Sequence, residues 1–211
     1  MRILVIGASG RVGEELVSDL SQAGYHVSGT YNVKKPQHQL EHAIQLNLAD
    51  STVPQIAEKI HGYDIVYFVA GSRGKDLLQT DLYGSVKVMK ALETSTHVDR
   101  YVQLSASFSL HPELWQTEEL KPLRNFYIAK YFSDCWLLDN TTLNYTILQP
   151  GMLLSTKGTG KIELNPKHRA GIPIADVALT LAKLAEHPNT AKKIITVHSG
   201  EEPIDGALAK V

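Results

Sequence analysis

Ile3-Leu4-Val5-Ile6-Gly7-Ala8-Ser9-Gly10-Arg11-Val12-Gly13 decides the fold of this chain. The first four residues are an unbroken apolar run, as a strand buried on both faces requires. Three glycines follow at G-x-x-G-x-x-G spacing. From there Val12, Leu16, Val17 and Leu20 recur at the period of one helix face. Strand, glycine turn and helix start, in that order, build a site for a nucleotide pyrophosphate. The glycines permit a tight turn and a close backbone approach. The helix N-terminus then aims unpaired N–H groups and the positive end of its dipole at the phosphates. The alternative is a glycine-rich strand–helix turn with no ligand.

The alternation set up by this stretch runs on through the chain. Candidate strands are Arg2–Ile6, His26–Thr30, Ala43–Leu46, Asp64–Val69, Arg100–Leu104, Asn144–Leu148 and Lys193–Val197. Candidate helices are Arg11–Ala23, Pro54–His61, Gln79–Ser95, Arg124–Asn140 and Ile174–His187. Apolar strands alternating with helices predict an α/β fold, a doubly wound parallel sheet with helices on both faces. Its 211 residues fit one domain, 1–211. Ligands of such sheets bind beyond the carboxyl ends of the strands, where the strand order reverses.

Composition narrows the function classes. With 21 Lys+Arg against 22 Asp+Glu the net charge is −1, and no basic excess points to nucleic acid or a membrane surface. The 43% apolar content is enough for a full core. One cysteine, Cys135, leaves no internal disulfide and suits a reducing cytoplasm. Its neighbours Trp136, Leu137 and Leu138 mark it as a buried small hydrophobe. The apolar start reads as a strand and no signal peptide is expected, and no apolar run approaches the roughly 18 residues of a membrane span. The nine histidines show no paired ligand spacing, so no metal is expected.

The residues past each strand are the candidate site. Gly7, Ser9, Gly10, Arg11, Val12 and Gly13 cradle the pyrophosphate. Tyr31 and Asn32 follow the second strand, and no acid stands in Thr30–Lys35 to bind ribose hydroxyls and repel a 2′-phosphate. Arg11, Lys34 and Lys35 add positive charge, and a guanidinium suits a phosphate. This favours NADP(H) over NAD(H). The alternative is three solvated surface charges. Asn47 and Leu48 follow the third strand, in reach of an adenine edge. Asp50 reads equally as a cap for the next helix. Ala70 and Gly71 leave room for a second ribose. Ser105 and Ser107 follow the fifth strand. Pro150-Gly151 bends the chain after the sixth.

These pieces resemble the short-chain dehydrogenase/reductase superfamily. The closest resemblance is to its atypical NAD(P)H-binding branch, near NmrA-like and flavin- or biliverdin-reductase-like proteins. Val5–Gly13, Asn47–Asp50, Val69–Gly71, Leu104–Ser107, Ala129-Lys130, Tyr145–Gly151 and Ile174–Ala178 occur in that family's order over nearly the whole chain. The resemblance implies a Rossmann fold, a bound nicotinamide dinucleotide and a small-molecule substrate. It implies a catalytic serine, tyrosine and lysine: the tyrosine exchanges a proton with the substrate oxygen, the lysine lowers its pKa and holds the ribose, and the serine orients the oxygen.

Lys130 matches the lysine, but the residue four before it is Phe126, and Tyr127 stands three before. On a helix, i+3 and i+4 flank a residue on opposite sides. Tyr127 is thus a displaced candidate for the acid, or an aromatic packing on the helix face. Tyr31/Lys35 and Tyr83/Lys87 fit the same spacing but precede the fifth strand. Ser105 and Ser107 point the same way along a strand, and spacing does not choose between them. Gln149 stands where relatives often carry arginine. His111–Pro122 and Ser155–Gly160 have loop composition. With a short strand at Lys161–Leu164, they are expected to form a small C-terminal substrate cap. Two readings follow: an oxidoreductase passing hydride to a small carbonyl, quinone or flavin-like acceptor, or an NADP(H)-binding redox-sensor module. A monomer or weak homodimer suffices for either.

Overall fold

Alternation along one strand builds two hydrophobic cores. In the computed structural model, which describes residues 1–94, 98–166 and 168–211, Ile3 to Ile6 are all fully buried. Ile3 and Val5 join one core and Leu4 and Ile6 the other, because successive strand side chains point to opposite faces. Each such side chain contributes about 1.5–3 kcal/mol by leaving water.

The elements run β1 (Arg2–Ile6), α1 (Arg11–Gln22), β2 (His26–Tyr31), β3 (Ala43–Gln45), α2 (Val53–Ile60), β4 (Ile65–Phe68), α3 (Tyr83–Glu93) and β5 (Arg100–Leu104). Then come α4 (Arg124–Asn140), β6 (Tyr145–Pro150), β7 (Met152–Leu154), β8 (Lys161–Leu164), β9 (Gly171–Pro173), α5 (Ile174–Lys183), β10 (Lys193–Ser199), β11 (Glu202–Pro203) and α6 (Ile204–Leu208). The main sheet has the order β11-β8-β10-β6-β5-β4-β1-β2-β3. From β3 to β10 every neighbouring pair is parallel. After β1 the chain builds outward through β2 and β3, then returns to place β4 on the other side of β1. The strand order therefore reverses between β1 and β4, at the end of β1 that carries the glycines. One core lies between the sheet and α1 with α5, and the other beneath α2, α3 and α4.

Three expectations need correction. The sheet is not parallel throughout: β8 runs antiparallel to β10, and β11 to β8. Lys161–Leu164 therefore extends the main sheet rather than a cap. The segment before it is tied down by the buried Asp176 of α5, whose carboxylate accepts the Thr159 and Gly160 N–H groups at 2.9 and 2.8 Å. Second, the helix predicted over Gln79–Ser95 is two elements, a π-helical turn Leu77–Leu82 and then α3; Ser95 lies outside the described residues. Third, Asp50 caps no helix. Thr52 caps α2, its N–H donating to Gln55 Oε1 at 2.9 Å, while Asp50 accepts the Asn47 side-chain amide at 2.6 Å. β7 and β9 form a separate two-stranded ribbon, which periodicity over three residues cannot announce.

Candidate functional site

Past the carboxyl ends of β1 to β5 lies a cleft of about 860 Å³, large enough for an elongated ligand. Its floor is the glycine turn. Gly7 has φ +93°, which disfavours any other residue, and a Cβ there would stand 2.6 Å from Ala70 Cα. Gly13 is tighter still, since its Cβ would meet Gly7 O at 2.2 Å; it packs α1 on the turn and does not line the cleft. Gly10 is different. It is the N-cap of α1, it faces the cleft, and its Cβ would meet only Gly7 O, at 3.2 Å.

With glycine as N-cap, no side chain bonds the first-turn N–H groups of α1. They are orphans that an anion can satisfy, and the helix dipole adds to the attraction. Ser9, Arg11 and Val12 line the same end. Glu14, one turn on, accepts the Gln37 N–H with both oxygens at 2.9 and 3.0 Å. It thereby ties down the loop after β2; Tyr31, the last residue of β2, and Asn32, the first of that loop, line the cleft. Asn47 and Leu48 form the next wall. The Asn47 side chain is rigid, its Oδ1 accepting the Ala49 N–H at 3.0 Å while its amide is held by Asp50.

The middle of the cleft is made by Ala70 and Gly71 after β4. Sequence reasoning missed Asp81, which the π-helical turn delivers here. It is buried, lines the cleft and accepts the Ser72 N–H at 2.9 Å. Such turns often mark functional sites, because one extra residue rotates the following side chains.

The far end holds Ser105, Phe126, Lys130 and Leu153. Lys130 is buried and donates to Leu104 O at 3.0 Å. Burial pushes its ammonium down, while Asp81 and Asp134 push it up. Its remaining N–H groups are free to meet a ligand hydroxyl. Its Nζ lies 5.9 Å from the Phe126 ring centre, so the residue one full turn earlier is its neighbour and carries no hydroxyl.

Tyr127 is not brought to the cleft. It is buried in a separate aromatic cluster, stacked on Trp115 with ring centres 6.2 Å apart, and burial pushes its phenol up. The loop 111–122 thus packs on α4 through Trp115. Of the two serines, Ser105 lines the cleft and Ser107 does not: β5 ends at Leu104, so strand alternation no longer governs them. Pro150 and Gly151 also lie off the cleft. β6 runs on through Pro150, and Gly151 is pressed between the Ala170 carbonyl and β10, a Cβ there standing 2.0 Å from Ala170 O and 2.7 Å from His198 Cδ2. Gln149 is buried and donates to Ser109 Oγ at 2.9 Å, so it offers a ligand nothing.

Among the described residues no three of His, Cys, Asp and Glu gather to hold a metal. Among them, too, no helix is long and apolar enough to cross a membrane.

The NAD(P)H-binding family matches residues 7–188 of this chain. The chain is similar to the oxidoreductase ylbE of Lactococcus lactis, with TM-score 0.95 and 38% identity over 100% of this chain and 96% of that one. It is 34% identical to the UPF0659 protein YMR090W of Saccharomyces cerevisiae over 97% of this chain and 96% of that protein. It is 31% identical to the uncharacterized sugar epimerase YhfK of Bacillus subtilis, over the full length of both.

Proposed function

The chain belongs to the NAD(P)H-binding family, and we propose that it is an oxidoreductase that passes hydride from NADPH to a small carbonyl, quinone or flavin-like acceptor. The observation that carries this reading is one continuous cleft with an anion-binding helix end at one side and Ser105 with Lys130 at the other. The residues fit a dinucleotide: uncapped N–H groups and a missing Cβ at Gly10 suit its pyrophosphate, and the buried Lys130 ammonium suits a ribose hydroxyl. When bound, the reduced nicotinamide supplies the hydride. This chain's residues bind, orient and protonate: Ser105 presents a hydroxyl to the acceptor oxygen, and Lys130 fixes the ribose. Positioning alone supplies a large part of such an acceleration.

Preference for NADPH rests on Arg11, which lines the cleft, and on the absence of any acid in Thr30–Lys35. Arg11→Ala is expected to weaken NADPH binding by roughly tenfold, the worth of one charge-assisted hydrogen bond, and to leave NADH affinity unchanged. Equal weakening of both in a competition titration would remove Arg11 from cofactor choice.

Tyr127 has no part in this mechanism. Tyr127→Phe is expected to retain turnover within about twofold, against the loss of roughly 10²–10⁴ that follows removal of a general acid. A loss on that larger scale would restore Tyr127 as the proton donor.

The second reading, a redox-sensing module without turnover, draws on Phe126 standing where an acid would face Lys130. NADPH oxidation on addition of quinones and flavins separates the two: turnover establishes the enzyme, and tight binding without turnover the module. The chain is also proposed to act as a monomer or weak homodimer in the cytoplasm.

A further inference from the structure

We propose that Asp134 is the proton source of this site, acting through Ser105 to protonate the acceptor oxygen. The proposal rests on the oxidoreductase reading above.

Asp134 lies on α4, one turn after Lys130, and is fully buried. It belongs to a polar network inside the apolar layer between α4 and the sheet. Gln103 Nε2 donates to its Oδ1 at 2.8 Å. Ser105 Oγ and Ser109 Oγ stand 2.5 and 2.7 Å from its Oδ2. Gln103 is fixed in turn by Tyr101 OH and Ser85 Oγ, which donate to its Oε1 at 3.0 and 3.1 Å. Of these groups, Ser105 also lines the cleft.

Counting protons assigns the role. Ser109 Oγ accepts from Gln149 Nε2 at 2.9 Å, so its own proton turns to Asp134. If Asp134 is a carboxylate, the Ser105 proton is also drawn to Oδ2, and Ser105 has none to offer the cleft. If Asp134 carries a proton on Oδ2, that proton points along the 2.5 Å contact to Ser105 Oγ. The Ser105 proton then leaves Oδ2 and is shared between Ser109 Oγ, 3.2 Å away, and the cleft. Only the protonated carboxyl makes Ser105 a donor to a substrate.

Burial favours that state. Full desolvation raises the Asp134 carboxyl, opposed by the hydrogen bonds of Ser105, Ser109 and Gln103 and by Lys130, with a net shift upward. The other titratable groups facing this cluster are Tyr101 on β5 and Cys135 on α4, each of which feels Asp134, and Asp81, which acts on Lys130.

The step balances. As the hydride pair enters the carbonyl carbon, the carbon–oxygen π pair moves to oxygen. Ser105 Oγ gives that oxygen its proton and takes the proton from Asp134 Oδ2. The products are the oxidised dinucleotide, an alcohol, an intact Ser105 hydroxyl and an Asp134 carboxylate held by Gln103 and Ser109. After the product leaves, a proton taken up from bulk solvent returns to the Asp134 carboxylate through Ser105.

The test uses the full chain with NADPH and, as acceptor probe, phenanthrenequinone. Carbon-13 NMR of labelled aspartate, assigned with Asp134→Asn, reads the carboxyl directly. The Asp134 signal is expected to stay protonated well above the range of the surface carboxylates. The single-turnover rate of NADPH oxidation is expected to fall as pH rises through that same transition. Asp134→Asn is expected to bind NADPH as the unaltered chain does, to react roughly 10²-fold more slowly and to lose that limb of the pH profile. Ser105→Ala should slow the reaction similarly and push the Asp134 transition higher, since one hydrogen bond to the carboxylate is gone. An Asp134 ionised at acid pH in a chain that binds NADPH would overturn the relay alone. So would an unchanged pH profile in Asp134→Asn. No NADPH binding by the unaltered chain would overturn the cofactor reading and the relay together.

Discussion

Gly10→Asp is expected to abolish binding of NADPH and NADH while the chain stays folded. Gly10 sits at φ −79°, ψ 167°, an extended conformation open to any residue. The added Cβ meets only Gly7 O, at 3.2 Å, a contact that a shift of a few tenths of an ångström relieves. Aspartate is among the best N-cap residues and contributes about 1 kcal/mol to a helix. The substitution therefore serves the fold. It also satisfies the orphan N–H groups of α1 with a resident carboxylate and sets negative charge where the pyrophosphate must come. Loss of about 4 kcal/mol of binding, roughly 10³-fold, is expected by calorimetry, with an unchanged or raised melting temperature. Gly13→Ala gives the contrast. Its Cβ would stand 2.2 Å from Gly7 O, so the turn must move and the melting temperature should fall. Unchanged nucleotide affinity in Gly10→Asp would remove the glycine turn from the binding site.

Lys130→Met is expected to weaken dinucleotide binding by about 10- to 100-fold and to cut turnover further. Methionine keeps the length and apolar stem of the side chain and removes its charge and donors. In the folded chain Lys130 bonds one carbonyl, Leu104 O, and keeps donors free beside the cleft. A hydrogen bond from a charged group is worth about 1.5–3 kcal/mol, which sets the expected range in affinity. Turnover falls further because the ammonium also offsets negative charge on the Asp81 side of the cleft and around Asp134. Equilibrium titration with NADPH and steady-state reduction of a quinone measure the two effects separately. Wild-type affinity in this variant would show that Lys130 is a buried structural lysine.

Much of this was legible in the sequence, for identifiable reasons. The apolar strands and the periodic α1 carry strong periods, and their bounds fall within a residue or two: β1, β5 and α4 occur where they are expected. The glycine-turn end of the cleft was legible because glycines carry conformational meaning of their own. The far end was not. Tyr127 and Phe126 are adjacent aromatics on one helix, and only packing on Trp115 decides which of them turns away. Ser105 and Ser107 differ only in where β5 stops. Asp134 lies within a helix whose buried face is itself mixed, so in sequence it resembles a solvated face. Asp81 depends on a π-helical turn, whose extra residue per turn is invisible to a 3.6-residue period. Pro150-Gly151 marks a turn in any protein; here the glycine meets the need for close packing against the Ala170 carbonyl and His198. Residues whose role follows from backbone conformation were readable, and residues whose role follows from tertiary packing were not.

The most direct measurement is calorimetric titration of the purified, nucleotide-stripped chain, first with NADPH and then with NADH. Saturable binding of one molecule per chain, tighter for NADPH, is the expected result. Failure of both to bind would contradict the assignment of the cleft.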